Sequence, residues 1–295
     1  MSVLITGANG VVGNEIAKKL SKKFKIIGIY RKKNLRVKKL KNIKWIKFDL
    51  KKRFDRNFKS NLKLIIHCAI DQSHLFNSNK KKYVKTNKSI FNNILEYAEK
   101  KKVKLFINFS SIDVYGNVNK NYIKENDKFI KQNTYGYTKS LLEKILIKKK
   151  LNYVNLRLPG ILCDPNNLSK DRPLINSIFY KFKFNRPVSV YGLEKKFNNV
   201  ISVDEIIKFI LFSLKKKKVQ GTYNFSSRNP MLFKKILENI RKKTKSRSKI
   251  KSIKKNKYKS FCISTQKIEK NLNYKIITTN QEINNYIKKF NNQVK

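Results

Sequence analysis

Residues 6–13 read TGANGVVG, and no other stretch of the chain narrows its fold as sharply. The sequence holds only 9 Gly and 4 Ala in 295 residues, yet three of those Gly and one of those Ala fall inside these eight positions. Gly7, Gly10 and Gly13 stand three apart, between a β-type run, SVLIT (2–6), and a helical pattern from about Val11 to Lys22 that puts Val12, Ile16 and Leu20 on one face. In that setting Gly7 permits a tight turn, Gly10 lets the backbone approach a pyrophosphate, and Gly13 lets a helix pack closely on a strand. The free N–H groups of the helix start and its dipole then face the phosphates. A turn with a purely structural role is the competing reading.

The rest of the first half repeats this alternation. KIIGIY (25–30), IKWIKF (43–48), LKLIIHCA (62–69), KLFINFSS (104–111) and NYVNLRL (152–158) read as strands, with helices over 83–101 and 135–149. Strands separated by helices imply right-handed crossovers and a parallel sheet covered on both faces. The expected fold is α/β, a Rossmann-type doubly wound parallel sheet with a small C-terminal substrate lobe. Residues 1–158 form the dinucleotide-binding domain, sheet elements return near 198–227, and 159–295 make up most of the lobe. Later elements are a helix at 204–216, a strand at 222–226, a helix from Pro230, and a last helix opened by a capping box at Thr279 and Glu282.

Charge points elsewhere at first sight. A formal net charge of +53 would ordinarily indicate nucleic acid or an anionic membrane. The bases are 61 Lys against 10 Arg, however, and the Lys run through every segment. Base and phosphate recognition favours the planar guanidinium, so the charge reads as a solvated surface and no specific nucleic-acid partner is expected. Runs at 215–218 and 245–259 are where that reading is most exposed to failure. Three Cys (Cys68, Cys163, Cys262) without a C-x-x-C pair argue against disulfide frameworks and zinc sites. With two His, His67 and His74, no metal centre is expected. The N-terminus lacks a signal-peptide pattern and no window of 18 apolar residues exists, so a cytoplasmic protein with no membrane span is expected.

Several segments carry a family spelling, in order. TGANGVVG resembles the TGxxGxxG loop of extended short-chain dehydrogenases, the NAD-dependent epimerase/dehydratase family. FDL (48–50) is similar to its Asp-apolar pair beside the adenine, HCA (67–69) to its H-x-A element, and Asn87 to an Asn of the helix before the catalytic strand. SSIDVYG (110–116), YGYTK (135–139), LRLPG (156–160), NNVISVDEI (198–206) and GTYNFSS (221–227) resemble its later elements. The resemblance covers about 1–230. It implies an NAD(P)-dependent oxidoreductase or epimerase moving hydride at a sugar C–OH/C=O, with a nucleotide-sugar as small-molecule substrate. It also implies a dinucleotide held by Gly7, Asn9, Gly10, Val11, Val12, Gly13, Arg31, Asp49, Leu50, Cys68, Ala69, Asn87, Tyr135, Lys139 and Pro159.

Tyr-x-x-x-Lys occurs three times, at Tyr97/Lys101, Tyr135/Lys139 and Tyr191/Lys195. Only Tyr135 opens a helix downstream of SSIDVYG, so the expected catalytic set is Ser111, Tyr135 and Lys139. One turn apart on one helix face, Lys139 is expected to lower the Tyr135 pKa and to hold the nicotinamide ribose, while Ser111 hydrogen-bonds the substrate oxygen. His67 is expected to line the cofactor cleft through its backbone, and Asp113 to order its loop.

Departures from the family pattern qualify these expectations. The end of the second strand reads Tyr30-Arg31-Lys32-Lys33 rather than carrying an acid, which leans towards NADP over NAD. Dehydratases place two acids after the catalytic Ser/Thr; here Ile112 and Asp113 follow, which disfavours 4,6-dehydration. Asn198 stands where many nucleotide-sugar members have an Arg, with Lys195 or Lys196 as substitutes. The alternatives are an NADPH-dependent reductase of a non-sugar carbonyl and a non-catalytic cofactor-binding scaffold. A homodimer is left open.

Overall fold

Strands this rich in Val, Ile and Leu need apolar cover on both faces, and helices between them supply it. The structure, a computed structural model, describes residues 1–34, 36–57, 61–71, 79–167, 174–253 and 260–293. His74 and residues 254–259 of the basic segment lie outside the described residues. In chain order the main elements are β1 (Ser2–Thr6), α1 (Val11–Leu20), β2 (Lys25–Tyr30), β3 (Ile43–Lys47), β4 (Leu62–His67), α2 (Lys80–Lys100), β5 (Leu105–Ser111), α3 (Thr134–Ile147) and β6 (Tyr153–Leu158). There follow α4 (Leu174–Lys183), α5 (Val203–Lys215), β7 (Gly221–Asn224), α6 (Phe233–Lys243), α7 (Gln266–Leu272) and α8 (Thr279–Gln293). β1 to β7 build one seven-stranded parallel sheet in the order β7-β6-β5-β4-β1-β2-β3. Strand order reverses between β1 and β4, the switch point where such sheets bind ligands at their carboxyl ends.

The chain divides into two units. The first comprises 1–117, 129–157 and 207–223, and the second 118–128, 158–206 and 224–295. A single boundary at residue 158 therefore describes the chain only roughly. Residues 207–223 feed β7 into the sheet, whereas Tyr122–Ile123 pairs with Cys262–Ile263 in the second unit. Leu4, Ile65, Phe91, Ile94, Phe106 and Leu142 sit at the centre of the first unit's core. In the second unit, α4, α6 and α8 bury Phe179, Phe182, Leu237, Ile240 and Ile287 together, beside short strand pairs such as Gly160–Leu162 with Val200–Ser202.

Two helix starts differ from expectation. Pro230 precedes a two-residue strand, Met231–Leu232, paired antiparallel with Lys196–Phe197, and α6 begins only at Phe233. The capping box of α8 is shifted by one residue. Gln281 N donates to Thr278 Oγ1 (3.2 Å) and Thr278 N donates to Gln281 Oε1 (3.3 Å). Thr279 is turned inward, where its hydroxyl donates to the Arg228 carbonyl (3.0 Å).

α3 is tied to the sheet by a buried ion pair. Arg157 on β6 donates to Glu143 on α3 from Nε (3.1 Å) and Nη2 (2.7 Å), and from Nη1 to the Tyr115 hydroxyl (2.9 Å). The Ser110 hydroxyl on β5 donates to the same carboxylate. Removing one partner would leave a buried charge uncompensated, which costs about 3–5 kcal/mol. Arg157→Met is therefore expected to lower unfolding stability by about that amount in urea denaturation. The Arg157→Met/Glu143→Leu pair should lose clearly less than Arg157→Met alone.

Candidate active site

The glycine loop joins β1 to α1 at the switch point. Gly7 has φ +64°, a left-handed conformation that favours glycine, and a Cβ there would stand 2.9 Å from the Ala69 backbone. A Cβ on Gly13 would meet the Gly7 carbonyl at 2.5 Å, so α1 could not approach β1 as it does. Gly10 is the N-cap of α1 and supplies no side-chain cap, which leaves the first-turn N–H groups of Val11, Val12 and Gly13 without a side-chain acceptor. An uncapped helix start in a cradle that side chains would fill fits a diphosphate. Asn9 fastens the loop by donating from Nδ2 to the Lys32 carbonyl (2.7 Å). Ala69 N donates to Thr6 Oγ1 (3.2 Å), and the Thr6 hydroxyl shares a 2.9 Å hydrogen bond with His67 Nδ1. His67 lies in the core against Phe91 and Phe106, and burial drives its pKa down to about 3.

Ser111 ends β5 and Tyr135 opens α3, and the Ser111 hydroxyl acts on the Tyr135 phenol, opposing the rise in its pKa. The Ser111 hydroxyl accepts from Asp113 N (3.2 Å). Ser111 thus caps the turn Ile112–Tyr115, and burial pushes the Asp113 pKa up. Gly136 is required beside it, since any Cβ there would collide with the Asp113 carbonyl. Lys139 lies one turn on, with Nζ 5.7 Å from the centre of the Tyr135 ring. That ammonium donates to the Phe109 carbonyl (2.7 Å).

Electrostatics here depart from the sequence expectation. Tyr135 is pushed up to about 12 by burial and by the Asp113 carboxylate, with the Ser111 hydrogen bond opposing. Lys139 is brought down to about 8 by burial, against the pull of Cys68 and Glu143. Burial also pushes the Cys68 thiol up to about 12. Desolvation outweighs the phenol–ammonium attraction because Lys139 spends its hydrogen bond on the strand backbone. Among the described residues Lys139 is the one buried lysine.

The other expected cofactor residues have distinct placements. Asp49 caps its own turn, accepting from Lys51 N (3.0 Å), and Leu50 belongs to the core. Asn87 is buried and clamps the backbone of residue 71, accepting from Asp71 N (2.7 Å) and donating to Asp71 O (3.0 Å). Arg31 forms an ion pair with Asp71. Pro159 is buried in the second unit, directly after β6. Of the other Tyr-x-x-x-Lys pairs, Tyr97 is a core residue donating to the Arg56 carbonyl (2.8 Å), and Tyr191 belongs to the second unit.

Sequence reasoning passed over Asp71, Glu143 and Tyr83. Glu143 was visible as the third member of a stripe, four residues beyond Lys139. Tyr83 is fully buried with its hydroxyl unpartnered among the described residues, and its pKa is raised by burial and then by Tyr135 and Asp71. In the second unit Asn198 is structural: it donates to the Ser227 and Ile263 carbonyls (2.8 Å each). Its neighbour Asn199 lines a cavity of about 200 Å³ with Gly160, Leu162, Asn176 and Phe197. The buried Asn199 Oδ1 has no partner among the described residues. No metal-binding cluster and no membrane-crossing helix occur among the described residues.

A family model for the NAD dependent epimerase/dehydratase family matches residues 3–226, and the chain belongs to that family. A curated relative, dTDP-D-glucose 4,6-dehydratase of Dictyostelium discoideum, is 28% identical over 255 residues, 76% of this chain. The match spans 58% of that relative's length. Among solved structures, the Bordetella bronchiseptica enzyme WbmG in complex with NAD and UDP superposes with a TM-score of 0.81 at 16% identity, over 99% of this chain and 95% of that one. UDP-glucose 4-epimerase of Thermotoga maritima gives 0.77 at 18%, covering 100% of both chains. UDP-N-acetylglucosamine 4-epimerase of Methanobrevibacter ruminantium M1 gives 0.78 at 21%, over 99% and 98%. These likenesses establish the Rossmann-type fold.

Lys139 should report on itself through pH. Its folded pKa of about 8 lies below the ordinary lysine value of 10.5, so between these values the unfolded chain holds the proton and the folded chain does not. Stability linked to Lys139 is present above about 10.5 and lost as pH falls through about 8. The unfolding free energy of wild type relative to Lys139→Met should therefore rise across that window by about 3 kcal/mol, at about 1.4 kcal/mol per pKa unit. Urea titrations at stepped pH check it, and a flat difference would refute the burial argument.

Proposed function

We propose that this member of the family is an NAD(P)-dependent enzyme that moves hydride at a sugar C–OH/C=O, with a nucleotide-linked sugar as substrate. The observation that carries the reading is Lys139: in a chain with 61 lysines, the one described lysine that is buried stands with its ammonium over the Tyr135 ring, one turn along the same helix. A scaffold has no physical need for that arrangement. The nucleotide-sugar assignment is supported by UDP and UDP-glucose in the solved relatives. With three free thiols and no described membrane helix, the cytoplasm is the proposed site of action.

A nicotinamide dinucleotide, when bound, supplies the hydride donor and acceptor. The glycine loop and the uncapped start of α1 would hold its diphosphate. Ser111 fixes the substrate oxygen by hydrogen bonding. Tyr135, held protonated by burial and Asp113, is set to give a proton to a substrate oxygen as it gains negative charge. In the reverse direction the Lys139 ammonium over the ring favours the phenolate. Ile112 leaves the position after Ser111 without an acid, so epimerisation or reduction is proposed over 4,6-dehydration.

Purified protein incubated with UDP-sugars separates these outcomes by mass spectrometry. Epimerisation leaves product mass unchanged, whereas dehydration yields a product lighter by one water. A protein that retains no dinucleotide in native mass spectra and exchanges no hydride with any sugar nucleotide would sink the proposal. Tyr135→Phe should lower turnover by about 10²-fold or more with dinucleotide affinity nearly unchanged, because the ring carries no phosphate contact.

A further inference from the structure

Recognition of phosphate and base favours arginine over lysine, and this chain has only ten arginines. Three of them, Arg186, Arg241 and Arg247, are drawn together in the second unit. Arg186 follows α4, and Arg241 lies in the last turn of α6. Asn185, left-handed at φ +51°, ties their segments to one another: its Oδ1 accepts from Arg247 N (2.8 Å) and from the Ser246 hydroxyl (3.1 Å). Ser246 N in turn donates to the Arg241 carbonyl (3.0 Å). Beyond this knot, Val188–Val190 pairs in parallel with Ile250–Ser252, so Arg186 and Arg247 lead into neighbouring strands. All three arginines are exposed. Residues 174–190 and 239–252 contain no Asp or Glu.

An aromatic pair stands at the same place. Tyr180 and Phe184, four residues apart, have ring centres separated by 4.8 Å. The Arg186 guanidinium lies 5.5 Å from the centre of Tyr180 and 5.8 Å from that of Phe184, with the Lys183 ammonium 5.7 Å from Phe184. Cation–π attraction holds the Arg186 fork against the rings instead of leaving it free in water. Phe184 is still 50% exposed, so part of its ring stays open. We propose that this corner of the second unit binds single-stranded nucleic acid without reading its sequence. Its arginines take phosphates through their forks, and an unpaired base stacks on Phe184. A duplex keeps its base faces covered and can use only the charges. A membrane surface calls for a contiguous apolar face, whereas Phe184 is flanked by exposed Lys183, Asn185 and Arg186. A phosphopeptide would use the forks and leave the exposed ring without a role. None of these residues belongs to the first unit, which holds the glycine loop, Ser111, Tyr135 and Lys139, so the proposal does not depend on the enzymatic reading.

Fluorescence anisotropy of a labelled oligouridylate of about 12 nucleotides, with a DNA duplex of equal length beside it, tests the proposal at about 0.15 M salt. Wild type should bind the single strand at least tenfold more tightly than the duplex. Arg186→Gln/Arg247→Gln should weaken that binding tenfold or more. It should also reduce the slope of log affinity against log salt by about 1.4, two phosphates at about 0.7 each. Phe184→Ala should weaken binding about fivefold or more with the slope unchanged, since stacking carries no charge. Lys217→Gln/Lys218→Gln, which removes the same charge from the first unit, should leave binding within about twofold. The substituted side chains are exposed, and unchanged thermal unfolding midpoints show that the variants are folded. The proposal is overturned by no preference for the single strand, by equal losses from the arginine and lysine pairs, or by an unchanged affinity in Phe184→Ala. Tighter retention on phosphatidylserine vesicles than on the oligonucleotide would overturn it as well.

Discussion

The ion pair between Glu143 and Arg157 is the constraint on which the site depends. With 3.6 residues per turn, positions 135, 139 and 143 fall on one stripe of α3, so fixing Glu143 against β5 and β6 fixes the rotation and height of the whole stripe. Tyr135 then stands at the start of α3, and Lys139 meets the Phe109 carbonyl, two residues before Ser111 at the end of β5. Apolar contact alone would set this register loosely, because Leu142 and Leu146 can slide within a greasy core. A carboxylate held by both Arg157 and Ser110 cannot slide without losing hydrogen bonds it has no way to replace. Glu143 is thus a positioning residue whose effect on chemistry passes through two residues that it never touches in sequence.

Burial, rather than pairing of charges, sets the proton affinities at this end of the sheet. Tyr135 and Cys68 are pushed up, Lys139 and His67 are pushed down, and desolvation leads in each case. All four neutral forms are favoured together. Lys139, at about 8, still carries its charge at neutral pH, and a charge held in so buried a place interacts more strongly than it would in water. The expectation that Lys139 simply depresses Tyr135 treated two residues as an isolated pair. In the fold the ammonium is held by the strand backbone and Asp113 stands on the other side of the phenol.

Legibility followed distance along the chain. The glycine loop, the strand–helix alternation and the Ser111/Tyr135/Lys139 set are local spacings, and their positions in the structure match the sequence to within a few residues. The Arg31–Asp71 pair joins residues 40 apart, and nothing in either neighbourhood announces the other. The capping box at Thr278 rather than Thr279 shows the same limit at short range. Both threonines satisfy the pattern with an acceptor three residues on, and the choice was made by Ser227 and Arg228, which draw Thr279 inward. Residues 118–128 read as part of the first domain until their pairing with Cys262–Ile263 was seen.

The acidic residues divide by burial. Only 18 residues are acidic, and among the described residues Asp71, Glu143, Glu205 and Glu282 are buried. Glu143 anchors α3, Asp71 engages Arg31, and Glu205 accepts from the Tyr274 hydroxyl (2.8 Å) in the second unit. An exposed acid makes weak pairs that contribute about 0–1 kcal/mol, so its replacement by lysine is tolerated. A buried acid with several donors is not replaceable in that way, because lysine would bring a second cation into the same pocket. The lysine-rich surface and the retained interior acids are two outcomes of one rule, that electrostatic substitutions are cheap in water and expensive out of it.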